Sequence, residues 1–170
     1  MTPAPIIVSA AFGSADFAWL DGLRRAHFPP ARNQIAAHLT LFHHLPPSLL
    51  DELTAQLGQM TRNVPRPAAA IGKPMLLGRG VAFRVHSDAL VALRADLADA
   101  FHGVLTPQDR AGWRPHVTIQ NKVDPAVAKA LHGEIERDPQ IARPLSIIGI
   151  ATYFYRDGPW EPIACHRFAG

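Results

Sequence analysis

The chain has 170 residues, 48% of them apolar and 18% charged, with a formal net charge of +3. That balance excludes a disordered chain and fits one domain, or two small lobes sharing a core. The mild positive charge suits a polyanionic substrate but excludes the dense basic stripe of a dedicated duplex binder, and the single cysteine, Cys165, excludes an intramolecular disulfide and a thiolate metal site.

In chain order, residues 5–12 read as a strand. A helix follows to about Phe28, with Ser14 or Asp16 as cap and Phe17, Leu20 and Leu23 as its apolar stripe. Pro29-Pro30 ends it, and a short loop leads to a strand at about 36–43. Pro46-Pro47-Ser48 opens a helix to about Arg62, burying Leu49, Leu50, Leu53 and Leu57. Residues 68–77 and 81–85 read as strands joined by a turn at Gly78-Arg79-Gly80. Ser87 or Asp88 caps a helix over about 88–105, with Leu90, Leu93, Leu97, Ala100 and Phe101 in register. A polar loop, 106–114, precedes a further strand at His116. Asp124-Pro125 starts a helix to about Arg137. Strands at 144–155 and 162–168, joined by a turn at Asp157-Gly158, form a hairpin.

Two of these strands carry the same His-apolar-Thr pattern, His38-Leu39-Thr40 and His116-Val117-Thr118. Side chains alternate faces along a strand, so each His shares a face with its Thr while the intervening aliphatic residue points into a core. Two such strands on one cleft supply two imidazoles and two hydroxyls, a set suited to general acid–base chemistry on an anionic group. The surrounding order of strand, helix, His-x-Thr strand, helix, strand also occurs twice, in halves of about 1–78 and 79–170. This is an internal duplication, and it puts the two motif strands near a pseudo-twofold axis in a cleft between lobes.

With these motifs, their spacing and Pro115 just before the second, the chain resembles the 2H phosphoesterases. That family includes the 2′-5′ RNA ligase-like proteins and the 2′,3′-cyclic nucleotide phosphodiesterases. The resemblance implies an α+β bilobal fold of two antiparallel-type sheets around a central cleft with helices outside. It implies an enzyme acting without metal or other cofactor on a 2′,3′-cyclic phosphate end of a nucleotide or RNA, or on a 2′-5′ phosphodiester. Carried over, His38 and His116 are the paired acid and base, and Thr40 and Thr118 hydrogen-bond the non-bridging phosphate oxygens. Many ligase-like relatives carry a basic residue three places after the second Thr. Here Asn121 stands there and Lys122 follows, on the other strand face if the strand continues.

Further substrate-binding candidates are Phe42, Arg84, Arg114, Lys122 and Tyr153. Phe42 shares a face with Thr40 and either stacks on a base or packs between lobes. Arg84 is an anion clamp or a surface residue, and Arg114 adjoins His116 closely enough for a phosphate or ribose role. Tyr153 lines the cleft or belongs to the core or surface. His43 and His44 beside His38 suggest a metal cluster, but adjacent residues point apart and no carboxylate lies nearby in sequence, so no metal is expected. The remaining histidines read as solvated or capping.

No segment has the length to span a bilayer, the opening MTPAPIIVSAAF lacks the basic start of a signal peptide, and the single cysteine favours a reducing setting, so a cytoplasmic location is expected; the protein is also expected to be a monomer. The rival reading, from another class, is a non-catalytic nucleotide or RNA-end binding module using the same cleft. A different small cyclic phosphate outside RNA metabolism is a third.

Overall fold

The computed structural model describes residues 3–170. Seven strands are β1 (Ile6–Phe12), β2 (Leu39–Leu45), β3 (Ala70–Leu76), β4 (Val81–His86), β5 (His116–Gln120), β6 (Ile147–Phe154) and β7 (Glu161–Arg167). The helices are α1 (Ser14–His27), α2 (Leu50–Thr61), α3 (Asp88–Ala100), a single turn α4 (Pro107–Arg110) and α5 (Pro125–Arg137). Among the described residues no helix is long and apolar enough to cross a membrane.

The strands form two sheets, ordered β2-β1-β6-β7 and β3-β4-β5, and every neighbouring pair is antiparallel. The α+β architecture of two antiparallel sheets flanked by helices follows. The chain exchanges strands: β1 and β2 are joined in their sheet by β6, while β4 and β5 are joined by β3. The third strand of each half therefore completes the sheet of the other, and neither half closes a sheet alone.

Each long helix buries residues spaced three or four apart, which places them on one side of a 3.6-residue turn. These are Leu20 and Arg24 in α1, Leu53, Leu57 and Thr61 in α2, Leu90, Arg94 and Leu97 in α3, and Ala128 and Leu131 in α5. One core cluster runs through both sheets, from Ile6, Val8 and Leu39 to Phe83, Val117 and Ile119. Ser87 caps α3 through its hydroxyl, which accepts from the Leu90 N–H at 3.2 Å. The expected caps of α1 are absent. Gly13 stands at its N-cap, and the Asp16 carboxylate instead accepts the Ser146 N–H at 2.7 Å, tying α1 to the start of β6.

Two buried arginines cross between the halves. Arg24 of α1, 5% exposed, donates to the Thr118 carbonyl at 3.0 Å and lies 4.2 Å over the Phe28 ring. Arg94 of α3, 8% exposed, donates to the Leu41 carbonyl at 3.1 Å and to the Asp109 carbonyl at 2.7 Å, with its guanidinium 4.3 Å over Phe42. Each arginine thus holds the His-x-Thr strand of the opposite half. Burial depresses the basicity of both groups, and a buried charge is tolerated only where carbonyls and ring faces replace its water.

Replacing Arg94 by Ala leaves two buried carbonyls without donors and a gap between Phe42 and Trp113. The expected cost is about 2–4 kcal/mol of unfolding free energy. Lys recovers little of it, because an ammonium does not reproduce the planar fork. Urea denaturation of Arg94→Ala and Arg94→Lys beside the wild type measures both.

Candidate active site

The two motifs reach the cleft by the same local device. His38 immediately precedes β2, and His116 is the first residue of β5. In each ring Nδ1 lies 2.8 Å from the carbonyl oxygen two residues upstream, that of Ala36 for His38 and that of Arg114 for His116. A carbonyl only accepts, so Nδ1 carries a hydrogen in both rings and Nε2, on the far side, is left without a hydrogen bond. Leu39 and Val117, between His and Thr, are fully buried and fix which way each strand faces.

His38, Thr40, His116 and Thr118 line one cleft of about 440 Å³. The loop before β5 forms another of its walls. Trp113 there donates its indole N–H to the Thr40 carbonyl at 3.0 Å, and Arg114 and Gln108 also line the cleft. The anchor of this loop is Asp109, 1% exposed. Its carboxylate accepts from the backbone N–H groups of His43, at 2.9 and 3.0 Å, and His44, at 3.0 Å, and lies 3.1 Å from His43 Nδ1. Burial alone would raise its pKa, but these donors outweigh it and hold the carboxyl below its ordinary value.

The other sequence candidates separate. Arg114 lies in the cleft. Phe42 does not. The pairings Ser9↔Thr40 and Val8↔Phe42 leave Leu41 as an extra residue, a bulge that reverses the alternation. Phe42 therefore turns inward, 1% exposed beneath Arg94, and is closed to a nucleobase. Arg84 pairs across the sheet with His116 but lines a neighbouring hollow with Lys73 and Ile141, and Met75, which borders both spaces, divides it from the cleft. Lys122 is exposed beyond the end of β5, at φ 63° in a tight turn that takes it off the sheet face. Tyr153 is half-buried in a second hollow of about 400 Å³ that adjoins the cleft at His38. Trp160, from the β6–β7 connection, stands there 4.6 Å from His38 and 5.4 Å from Tyr153 between ring centroids.

Sequence reasoning missed Arg24, Arg94, Asp109 and Trp160. Arg94 left a signal, since it falls on the apolar stripe between Leu90 and Leu97 where a solvated arginine does not belong. Asp109 left none, being 66 residues from its partner His43. Among the described residues no group of three His, Cys, Asp or Glu side chains is placed to hold a metal ion.

The two imidazoles differ in setting. His38 is half-buried under Trp160, whereas His116 is exposed. Burial, opposed by the Ala36 carbonyl and reinforced by the positive charge of Arg24, pushes the His38 pKa down from 6.5 to about 4. His38 is therefore neutral at physiological pH, with a free lone pair on Nε2. The linkage has a definite sign. Between pH 6.5 and about 4 the unfolded chain takes up a proton that folded His38 refuses, so acidification through that window removes stability. His38→Gln should lack this part of the decline in urea midpoint. The His38 ring resonances should show a midpoint near pH 4 by NMR, and a midpoint near 6.5 would refute the buried, neutral ring.

The model of the 2'-5' RNA ligase superfamily matches residues 12–153. No curated protein sequence matches significantly. Among solved structures, TT0787 of Thermus thermophilus superposes with a TM-score of 0.67 at 13% identity, over 98% of each chain. Escherichia coli LigT complexed with 3'-AMP superposes with a TM-score of 0.64 at 17% identity, over 99% of this chain and 100% of that one. A further phosphoesterase gives 0.58 at 16% identity, over 99% and 100%. At these identities the likeness is one of fold. The family match takes in both His-x-Thr strands and everything between the end of β1 and the end of β6, and on that extent the chain belongs to the 2'-5' RNA ligase superfamily.

Proposed function

We propose that this protein is a metal-independent phosphoesterase that opens 2′,3′-cyclic phosphates on nucleotide or RNA ends, or cleaves 2′-5′ phosphodiesters, by paired-histidine acid–base catalysis. One observation carries the reading. Two imidazoles line a single cleft, each with Nδ1 pinned to its own backbone and Nε2 left free, and each followed by a threonine on the same face. The nucleotide-bound forms of E. coli LigT, with 3'-AMP, NADP+ and ATP, add support by analogy of fold.

The different settings of the rings support one division of roles. His38, neutral, takes the proton from water as its oxygen attacks phosphorus in line. His116 is the acid, giving a proton from Nε2 to the departing ribose oxygen. One P–O bond forms and one breaks, and the net proton count is unchanged. The Thr40 and Thr118 hydroxyls donate to the non-bridging oxygens as charge accumulates there, already oriented by the strands that carry them. No step requires a metal ion or a nucleotide cofactor.

Hydrolysis of the four 2′,3′-cyclic nucleotides should proceed in EDTA. His38→Ala and His116→Ala should each lower kcat/KM by roughly 10²–10⁴, and Thr40→Ala or Thr118→Ala by about 10². Full activity in both histidine variants would sink the mechanism. Absence of turnover by the folded protein would favour a longer RNA substrate or the binding-module reading.

The acidic limb of the kcat/KM profile reports protonation of the free base, so it should fall near pH 4, well below an ordinary histidine limb. A limb near 6.5 would place the base elsewhere.

A further inference from the structure

The cleft holds a third imidazole that the two-histidine chemistry does not use. His43 lines it, 44% exposed, three residues beyond Thr40 along β2. With the bulge at Leu41 that is roughly 7 Å of strand, a span on the scale of one nucleotide. β2 breaks register twice, at Leu41 and again where His43 and His44 stand opposite Ile7; His43 lines the cleft, while His44 faces a separate surface hollow with Tyr155 and Arg156. Nδ1 of His43 lies 3.1 Å from the Asp109 carboxylate, which accepts its hydrogen and leaves Nε2 facing the open space. The carboxylate itself is closed off. It is 1% exposed and already receives the His43 and His44 backbone N–H groups. It is the only acidic residue on the cleft wall among the described residues, where Arg114 and Gln108 stand as further donors.

A buried carboxylate behind an imidazole fixes the orientation of the ring. An imidazolium held between that carboxylate and an incoming phosphate oxygen is a directed anion contact. We infer that His43, backed by Asp109 and assisted by Arg114, is a second phosphate subsite that takes the 5′-phosphate of the nucleotide whose 2′,3′-end reacts. The inference rests on the proposed reading of the cleft as a site for nucleotide ends. It makes the preferred substrate a nucleotide that continues or is phosphorylated on its 5′ side, and sets it apart from a bare nucleoside cyclic phosphate.

Calorimetric titration with adenosine 3′-phosphate and adenosine 3′,5′-bisphosphate tests it without relying on turnover. The wild type should bind the bisphosphate about tenfold more tightly or better, the scale of one hydrogen bond to a charged group. His43→Gln should bring the ratio of the two dissociation constants close to one, and Asp109→Asn should reduce it. His44→Gln should leave the ratio unchanged. Melting curves of each variant separate lost fold from lost contact. A wild-type ratio near one, or a ratio that His43→Gln leaves intact, overturns the second subsite while leaving the cleft's reading in place. Failure of the wild type to bind either probe overturns that reading as well.

Discussion

The site depends on two buried guanidinium groups that cross between the halves of the chain. Arg24 leaves α1 to hold the Thr118 carbonyl of β5, and Arg94 leaves α3 to hold the Leu41 carbonyl of β2. A buried charge carries a large desolvation cost, and these two are tolerated because carbonyl oxygens and the Phe28 and Phe42 ring faces stand in for water. The hydrogen bonds are directional, so the strands they grip are fixed in position. Strand exchange makes the grip reciprocal. Each helix holds the motif strand of the opposite half, and each half completes the other's sheet through β3 or β6. The cleft is thus a property of the whole chain.

The duplicated architecture delivers two imidazoles with the same backbone support, and the surroundings then make them unlike. Trp160 covers His38, and Arg24 adds positive charge near it, whereas the equivalent His116 lies open to solvent. In the proposed mechanism this difference in environment separates the two roles. Arg24 therefore acts on both levels, bracing β5 and helping to keep His38 neutral.

The loop from Thr106 to Pro115 completes the wall through contacts that are distant in sequence. Asp109 binds across 66 residues to His43, and Trp113 across 73 to Thr40. In sequence the segment resembles a polar connector, and its single turn of helix, α4, is too short to announce itself by periodicity. For His43 and His44 the sequence already disfavours a metal site, since adjacent residues of a strand point apart. In the fold one of them meets a carboxylate and the other a separate surface.

The sequence alone determined what rests on periodicity and residue chemistry. The seven strands and four long helices follow from apolar spacing, Pro and Gly punctuation and the Ser87 cap. The pairing of His38 with Thr40 and of His116 with Thr118 follows from the two-residue repeat of a strand. Tertiary structure decided whatever depends on parity, turns or long-range partners. Two register shifts in β2, at Leu41 and at His43-His44, bury Phe42 and leave both histidines exposed, because each bulge interrupts the alternation that the sequence pattern assumes. A left-handed turn removes Lys122 from the sheet. Arg84, although opposite His116, is divided from the cleft by Met75 of a third strand. The protonation of His38 was equally out of reach, since it is set by Trp160 and Arg24, which pack against that ring only once both sheets have closed.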